Sequence, residues 1–454
     1  MRLKFRKEKF LINLSNGILP TLGNKFLFIV LISIIFRFLN SVPVPGVPID
    51  SLKQVLSQYS FGEILNITSS GALANTTLIA IGLGPHINAS VVFQLLGSVV
   101  PKIQELQKEG AKGRMVLNMY TRLLTVPLAI IQSIVIYMFL KEYQLVAPLS
   151  GIELGVLVAG FTGGSMLLMW LSELLSEGNF INGSSYLIAA GILAEIPGKF
   201  SQGEMSSNVW VTVGVLAFTV IWIGFIGYVM AAEKKVKIKH AKVMSFATKP
   251  IDDNHLPLRL NQSGVMPVIF AMSFMSTPSL VMDLLSRSEL ATKYQWIGNV
   301  SEFITKYLGS ENIYYSLILA LLIILFSVFY TFVVFSPNDT SENLKKQGAY
   351  IPGIRPGADT KKYLTKIMVR LSIVGSLFLA FITIFPILLP QFLNSTWSYT
   401  LPGFLGGGVI NKGWTLDAPF LFSGTAIIII VGVAVEVFDK IRSMQTDKYS
   451  VKGI

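Results

Sequence analysis

Long apolar runs dominate the chain and predict membrane-spanning helices. A helix needs about 20 mostly apolar residues to cross a bilayer. Ten stretches of the sequence approach or meet that requirement, and we number them spans 1 to 10. They cover residues 23–42, 77–100, 116–140, 152–172, 183–198, 209–231, 263–283, 313–336, 367–390 and 418–438. The runs are continuous rather than alternating, so the pattern indicates helices.

Two of the spans contain residues that interrupt helices. Pro85 lies near the middle of span 2, and span 5 contains Gly191 and Pro197. Interrupted helices are tolerated in membranes where they are buried in protein or line a cavity. Spans 1–5 and 6–10 form two halves of opposite orientation, because five is an odd number. Inverted halves place the working site at their interface.

These patterns predict the following organisation. Residues 1–22 form an N-terminal tail, 23–198 the first half, 199–438 the second half and 439–454 a C-terminal tail. Residues 51–76 are too polar to face lipid, because they are rich in Ser, Thr, Asn and Gly. Composition leaves two interpretations open for them, an exterior loop or a re-entrant segment packed inside the bundle.

Composition agrees with a polytopic membrane protein. Of the 454 residues, 52% are hydrophobic and 14% are charged, against about 25% charged in soluble domains. There is no cysteine, which excludes disulfides and thiol chemistry. The three histidines are far apart in sequence, so we expect no metal site and no cofactor.

The basic residues orient the chain. With the N-terminus in the cytoplasm, 29 of the 37 Lys and Arg residues fall on the cytoplasmic side and 8 outside. The positive-inside rule therefore predicts that both termini are cytoplasmic. Two basic cytoplasmic loops, 232–262 and 337–366, are unusually long. They either contact anionic lipid headgroups or dock a cytoplasmic partner.

The sequence lacks the motifs of several enzyme classes. No GxxxxGK[ST] or GxSxG pattern occurs, which argues against nucleotide hydrolysis and acyl transfer by this chain. Glu195, Asp283 and Glu436 lie near the ends of spans. A secondary solute transporter of ten spans is the alternative function, but transporters more often bury a carboxylate near mid-span.

Five stretches together resemble the SecY family, the channel subunits of the protein-secretion translocase. Span 1 ends with Phe36-Arg37 and continues to PVPG at 43–46, and residues 82–96 read GLGPHINASVVFQLL. Residues 255–270 read HLPLRLNQSGVMPVIF, and 343–357 read NLKKQGAYIPGIRPG. Span 10 begins FSGTA at 422. The resemblance extends over all ten spans, and the 343–357 motif is typical of bacterial or plastid members.

The resemblance implies an all-α fold of ten transmembrane helices in two pseudo-symmetric inverted halves around an hourglass pore. It further implies an aliphatic ring at the narrowest point, which we call the pore ring. Matching motif to motif, the pore ring consists of Leu83, Ile87, Ile188, Ile192, Ile269 and Ile429. Leu83/Ile87 and Ile188/Ile192 have the i, i+4 spacing of one helix face.

The resemblance also favours the re-entrant interpretation of residues 61–76, as a plug below the ring. Its candidate residues are Phe61, Gly62, Ile64, Leu65 and Gly71. Spans 2–3 and 7–8 would border a lateral gate into lipid. Gln94 on span 2 is the candidate polar residue of that gate.

For the long loops the resemblance implies docking of the SecA ATPase and, alternatively, the ribosome. Arg355 is the principal candidate contact, supported by Lys345, Lys346, Lys235 and Lys239. The other implied partners are SecE-type and SecG-type small subunits, preprotein signal sequences and anionic lipids. The expected location is the bacterial plasma membrane, with the plastid thylakoid as the alternative. The implied function is conduction of unfolded preproteins and lateral release of membrane spans, without catalysis.

Overall fold

A helix lies within each of the ten predicted spans. The computed structural model describes residues 22–43, 77–142, 146, 149–177, 181–201, 209–240, 255–275, 313–396 and 424–451. We name the helices span helix 1 to 10 after the predicted spans. In order they are Leu22–Leu39, Gly84–Val99, Ala111–Glu142, Gly151–Glu177, Gly183–Ser201, Val209–Met230, Met266–Met275, Ile313–Val334, Ala358–Thr396 and Gly424–Val451.

Within these ranges, four stretches are long and apolar enough to cross a membrane. They are Met115–Lys141, Gly151–Glu177, Tyr314–Lys346 and Ala358–Pro386. Shorter apolar helices are Phe26–Leu39, Gly183–Ala194, Leu216–Met230 and Met266–Met275.

Of the two predicted helix interruptions, the one in span 5 is wrong, while the one in span 2 coincides with the start of the helix. Span helix 2 begins only at Gly84, so Pro85 lies in its first turn rather than at its middle. Proline is favourable there, because the first-turn N–H groups have no partner within the helix. Residues 77–83 form turns, in which Gly82 has a φ of 66°. Span helix 5 continues through Gly191 and Pro197 to Ser201.

The helix contacts repeat between the halves. In the first half, span helix 4 contacts 1, 2, 3 and 5, helix 1 contacts 5, and helix 2 contacts 3. In the second half, helix 9 contacts 8 and 10, and helix 6 contacts 10. Ring contacts add pairs 6–9 (Trp222–Phe385, centroids 5.1 Å apart) and 7–8 (Phe270–Tyr330, 5.7 Å). Adding five to the numbers of pairs 1–4, 1–5, 2–3, 3–4 and 4–5 gives these five second-half pairs, as two halves of the same fold predict.

The two halves meet where span helix 5 packs on span helix 10. One apolar core crosses this junction, with buried residues from both halves such as Ile32, Leu187, Val268 and Ile428. The core therefore joins the halves at the place where a shared site between them is expected.

The two long loops fold together into one unit. In the described parts of loop 232–262, β1 (Glu233–Lys237) pairs antiparallel with β3 (His255–Arg259). β2 (Lys239–His240) pairs with β4 (Ala349–Tyr350) of the other loop, and a helix Pro337–Lys346 precedes β4. We call β1–β4, this helix and the turn 351–357 the loop platform. A second apolar cluster attaches it to the start of span helix 9, through Val236, Leu258, Ile351, Leu364, Ile367 and Met368.

Candidate functional site

The structure brings all six pore-ring candidates into the core at the junction of the halves. None is more than 5% exposed, and all six belong to one continuous apolar cluster. Leu83 and Ile87 are at the start of span helix 2, and Ile188 and Ile192 are on span helix 5. Ile269 and Ile429 are on span helices 7 and 10 of the second half. In this structure the candidate ring is closed to solvent.

Leu83 and Ile87 share one helix face although span helix 2 begins only at Gly84. Leu83 is its N-cap residue, and its carbonyl accepts the Ile87 N–H at 2.9 Å. This is the first hydrogen bond of the helix, so the two side chains follow one another along one face. Ile188 and Ile192 are one turn apart inside span helix 5.

The turn that carries Leu83 is held against span helices 1 and 4. Ser165 donates its hydroxyl hydrogen to the Gly82 carbonyl at 2.9 Å, and the Leu78 N–H donates to the Val42 carbonyl at 3.1 Å. Gly164 faces the Leu78 carbonyl so closely that a methyl group there would overlap it. These contacts fix where span helix 2 begins. They therefore also fix the positions of Leu83 and Ile87 in the core.

The structure describes the gate candidate but not the plug candidates. Phe61, Gly62, Ile64, Leu65 and Gly71 lie outside the described residues. Gln94 is on span helix 2, partly buried, and its Oε1 is buried with no hydrogen-bond partner among the described residues. The side-chain amide oxygen of Gln94 is thus able to accept a hydrogen bond from an incoming group.

Arg355 lies on an exposed turn of the loop platform. The turn is bounded by Gly353 and Gly357, whose φ angles of 82° and 101° favour glycine. Two hydroxyls fix it: Thr360 donates to the Arg355 carbonyl at 2.9 Å, and Ser341 donates to the Gly357 carbonyl at 2.7 Å. The backbone is therefore rigidly held while the Arg355 side chain is exposed.

The four candidate lysines share the loop platform with Arg355. Lys345 and Lys346 end the Pro337–Lys346 helix, where positive charge complements the helix dipole. Lys235 is in β1, and Lys239 in β2 lies opposite Tyr350. The only ion pairs recorded for these lysines in the described residues are weak surface ones, Lys235–Glu233 at 3.6 Å and Lys346–Glu342 at 3.9 Å. Two loops that the sequence predicts separately thus carry these five basic residues on one folded unit.

Two polar contacts near the junction of the halves escaped the sequence interpretation. Glu436 on span helix 10 accepts the Asn182 N–H at 3.2 Å, and Arg259 pairs with Asp439 at 2.9 Å. The sequence identifies Glu436 only as a charge near the end of span 10, and it gives no partner for Arg259. The signal available in the sequence was the i, i+3 spacing of Glu436 and Asp439, which does not reveal their partners.

Comparisons with known proteins agree with this architecture. The family model SecY matches residues 77–438 of the chain. The Protein translocase subunit SecY of Haemophilus influenzae is 33% identical over 441 residues, 93% of this chain and 91% of that protein. The proteins of the same name from Escherichia coli K12 and Staphylococcus carnosus are 33% and 35% identical, with 95% of this chain covered in each case and 93% and 96% of theirs.

Solved structures share the fold at lower sequence identity. A structure titled as that of a protein conducting channel has a TM-score of 0.61 at 16% identity, with 93% of this chain and 92% of that chain covered. Sec61 in a canine ribosome-channel complex has a TM-score of 0.58 at 16% identity and the same coverage. The predicted all-α architecture is thereby confirmed. Since the family model covers most of the chain and relatives above 30% identity match along nearly its whole length, the chain belongs to the SecY family.

Proposed function

We propose that this chain is the channel subunit of a Sec translocase, which conducts unfolded preproteins across the membrane and releases membrane-protein spans sideways into lipid. One observation carries the proposal: six aliphatic side chains from both halves are buried in the one apolar cluster that crosses the junction of those halves. The chain itself performs no covalent chemistry in this account.

The physical properties of such a ring suit a protein-conducting pore. An apolar constriction excludes water and ions when closed. Its side chains offer no hydrogen-bonding partner to a polypeptide backbone, so a moving chain is not held. Because the contacts are apolar and non-directional, the ring can deform around side chains of different size. A solute transporter would instead need polar groups that recognise its substrate at mid-membrane.

The loop platform is our proposed docking site for the driving partner, the SecA ATPase or alternatively the ribosome. Arg355 presents a planar guanidinium that can make bidentate contacts to partner carboxylates or to RNA phosphates. Lys345, Lys346, Lys235 and Lys239 add positive charge that steers an acidic surface toward it. Energy then comes from the partner rather than from this chain.

The remaining parts of the proposal follow the family. Small SecE-type and SecG-type subunits would hold the halves together. Residues 61–76 would form the plug, and Gln94 would border the lateral gate, where signal sequences enter. We place the protein in the bacterial plasma membrane with both termini cytoplasmic, where its basic loops also contact anionic headgroups.

Site-specific photocrosslinking tests the proposed path. A photoreactive residue is placed at Ile188 or Ile429, and a preprotein is arrested during ATP-driven transport into vesicles that hold this chain, a SecE subunit and SecA. We expect crosslinks to the arrested preprotein from both positions. Leu377, which is 54% exposed on span helix 9, serves as the lipid-facing control and is expected to give none. Equal crosslinking from Leu377, or none from the ring positions during active transport, would overturn the path.

A further inference from the structure

Two polar contacts near the middle of span helix 10 join parts of the chain that are otherwise separate. The Asn182 N–H, from the first half, donates to Oε1 of Glu436 at 3.2 Å. Nη2 of Arg259, at the end of β3 in the loop platform, pairs with Oδ2 of Asp439 at 2.9 Å. Glu436 and Asp439 are three residues apart and therefore lie on one side of the helix.

The Asn182 contact is built into the start of span helix 5. The Asn182 carbonyl accepts the Tyr186 N–H at 3.0 Å, and its side-chain oxygen accepts the Ser184 hydroxyl hydrogen at 2.8 Å. Asn182 is thus the N-cap residue of the helix, and the Glu436 carboxylate lies at the positive end of the helix dipole. Arg259 and Lys440 supply further positive charge near that carboxylate.

This polar contact is costlier to break than the apolar contacts around it. Glu436 is partly buried on the helix that packs against span helix 5. Separating it from Asn182 leaves a main-chain donor without its partner and a shielded carboxylate without its hydrogen bond. A side chain of the pore ring, by contrast, exchanges one apolar neighbour for another when a polypeptide enters. We therefore expect the apolar contacts of the pore ring to open before the Asn182–Glu436 hydrogen bond breaks.

The same two helices carry half of the pore ring. Ile429 is seven residues from Glu436, two turns or about 10 Å along the same face of span helix 10. Ile188 and Ile192 follow Asn182 along span helix 5. A small tilt between the two helices about the Asn182–Glu436 contact would separate these side chains while the hydrogen bond stays intact.

We propose that the hydrogen bond between Asn182 and Glu436 is the pivot about which the two halves tilt when the pore ring widens. The inference rests on the proposed channel function, and it assigns Glu436 and Asn182 as positioning residues for the ring. The Arg259–Asp439 pair, one turn further along span helix 10, connects the loop platform to the pivot.

A paired crosslink distinguishes a pivot from a contact that must open. The chain has no cysteine, so Asn182→Cys with Glu436→Cys gives one unique pair. Joined by a short bifunctional thiol reagent, this pair is expected to keep preprotein transport within about twofold of the untreated double variant. The matched pair Ile188→Cys with Ile429→Cys, joined across the ring by the same reagent, should stop transport. Loss of transport on joining the 182/436 pair would overturn the proposal.

A second measurement is independent of transport. Ion leak through unstimulated vesicles reports how well the ring is closed. We expect Glu436→Ala to raise the leak per channel by about fivefold or more, and Glu436→Gln, which keeps an acceptor oxygen, to raise it less. Glu173→Ala, which removes a carboxylate of span helix 4 that pairs with Arg122, is the control and should leave the leak unchanged. An unchanged leak in Glu436→Ala would overturn the pivot. Absence of transport by the untreated double-cysteine variant and the unsubstituted chain alike would instead count against the channel function.

Discussion

Lys239 lies directly opposite Tyr350 in the β2–β4 pair, which joins two loops from different parts of the second half. The backbone pairing continues through His240 and Ala349. Beneath it, the cluster around Leu258 and Ile351 fills the space between the strands and span helix 9. The loop platform is therefore a folded unit with its own small core, and we expect any binding of a partner to depend on that core.

Leu258→Ala should weaken partner docking without touching an exposed residue. Leu258 is fully buried, and removing such a side chain typically costs about 2–5 kcal/mol. We expect faster hydrogen exchange at Ala349 and Ile351, and weaker SecA binding although Arg355 is intact. Hydrogen-exchange mass spectrometry and a binding titration measure the two effects. Leu256→Ala, at a half-buried position of the same strand, is the milder control. Unchanged exchange in both variants would contradict the view of the platform as a folded unit.

Arg355→Glu should abolish motor-driven secretion while the channel remains folded. Reversing a charge that is paired in an interface costs about 2–5 kcal/mol or more, which corresponds to at least about thirtyfold weaker binding. The readout is the rate of ATP-dependent preprotein transport. Lys102→Glu makes the same change of charge on an exposed residue outside the platform and should keep the normal rate. Normal secretion by the Arg355 variant would remove Arg355 from the docking site.

Gly164→Ala should destabilise the channel, whereas Gly163→Ala should not. The added methyl group of Gly164→Ala overlaps the Leu78 carbonyl, while Gly163 has nothing within 4 Å. Forcing such a shift costs about 1–3 kcal/mol, and alanine in place of an unhindered helical glycine stabilises by up to about 1 kcal/mol. Thermal unfolding in detergent should therefore show a lower Tm for Gly164→Ala only. Equal Tm values for the two variants would mean that residues 77–83 can move away from span helix 4.

A polar substitution in the pore ring should make the closed channel leak. Ile188→Ser introduces a hydroxyl into an apolar cluster, which costs about 1–3 kcal/mol when unpaired and favours a wetted state by about 5- to 150-fold. Ion flux from channel-containing vesicles measures the leak. Ile188→Val keeps the site apolar and is the control. If both variants leak equally, packing volume rather than hydrophobicity closes the ring.

The span helices were largely predictable, because apolar runs depend on local sequence. The ring residues instead came from the resemblance to the SecY family, and the helix period adds only that Ile188 and Ile192 share a helix face. The late start of span helix 2 was not predictable from hydropathy. Residues 77–83 are as apolar as the helix that follows, and their turns depend on contacts with Ser165 and Val42 in other spans.

Neither the loop platform nor the contacts of Glu436 could be predicted from the sequence, and here the reason is different. β2 and β4 have two residues each, too few to show an alternating pattern, and their pairing joins distant parts of the chain. The partners of Glu436 and Asp439 are likewise set by how helices 5 and 10 and strand β3 meet. Such long-range contacts leave no periodic signal in a single sequence.

The most direct test of the central claim is preprotein transport into sealed vesicles. The vesicles hold this chain, a SecE subunit and SecA, and a radiolabelled preprotein is added with ATP. The channel account predicts preprotein that protease cannot reach, formed only when ATP and this chain are both present. No protected preprotein, with every subunit folded and SecA bound to the vesicles, would contradict the account.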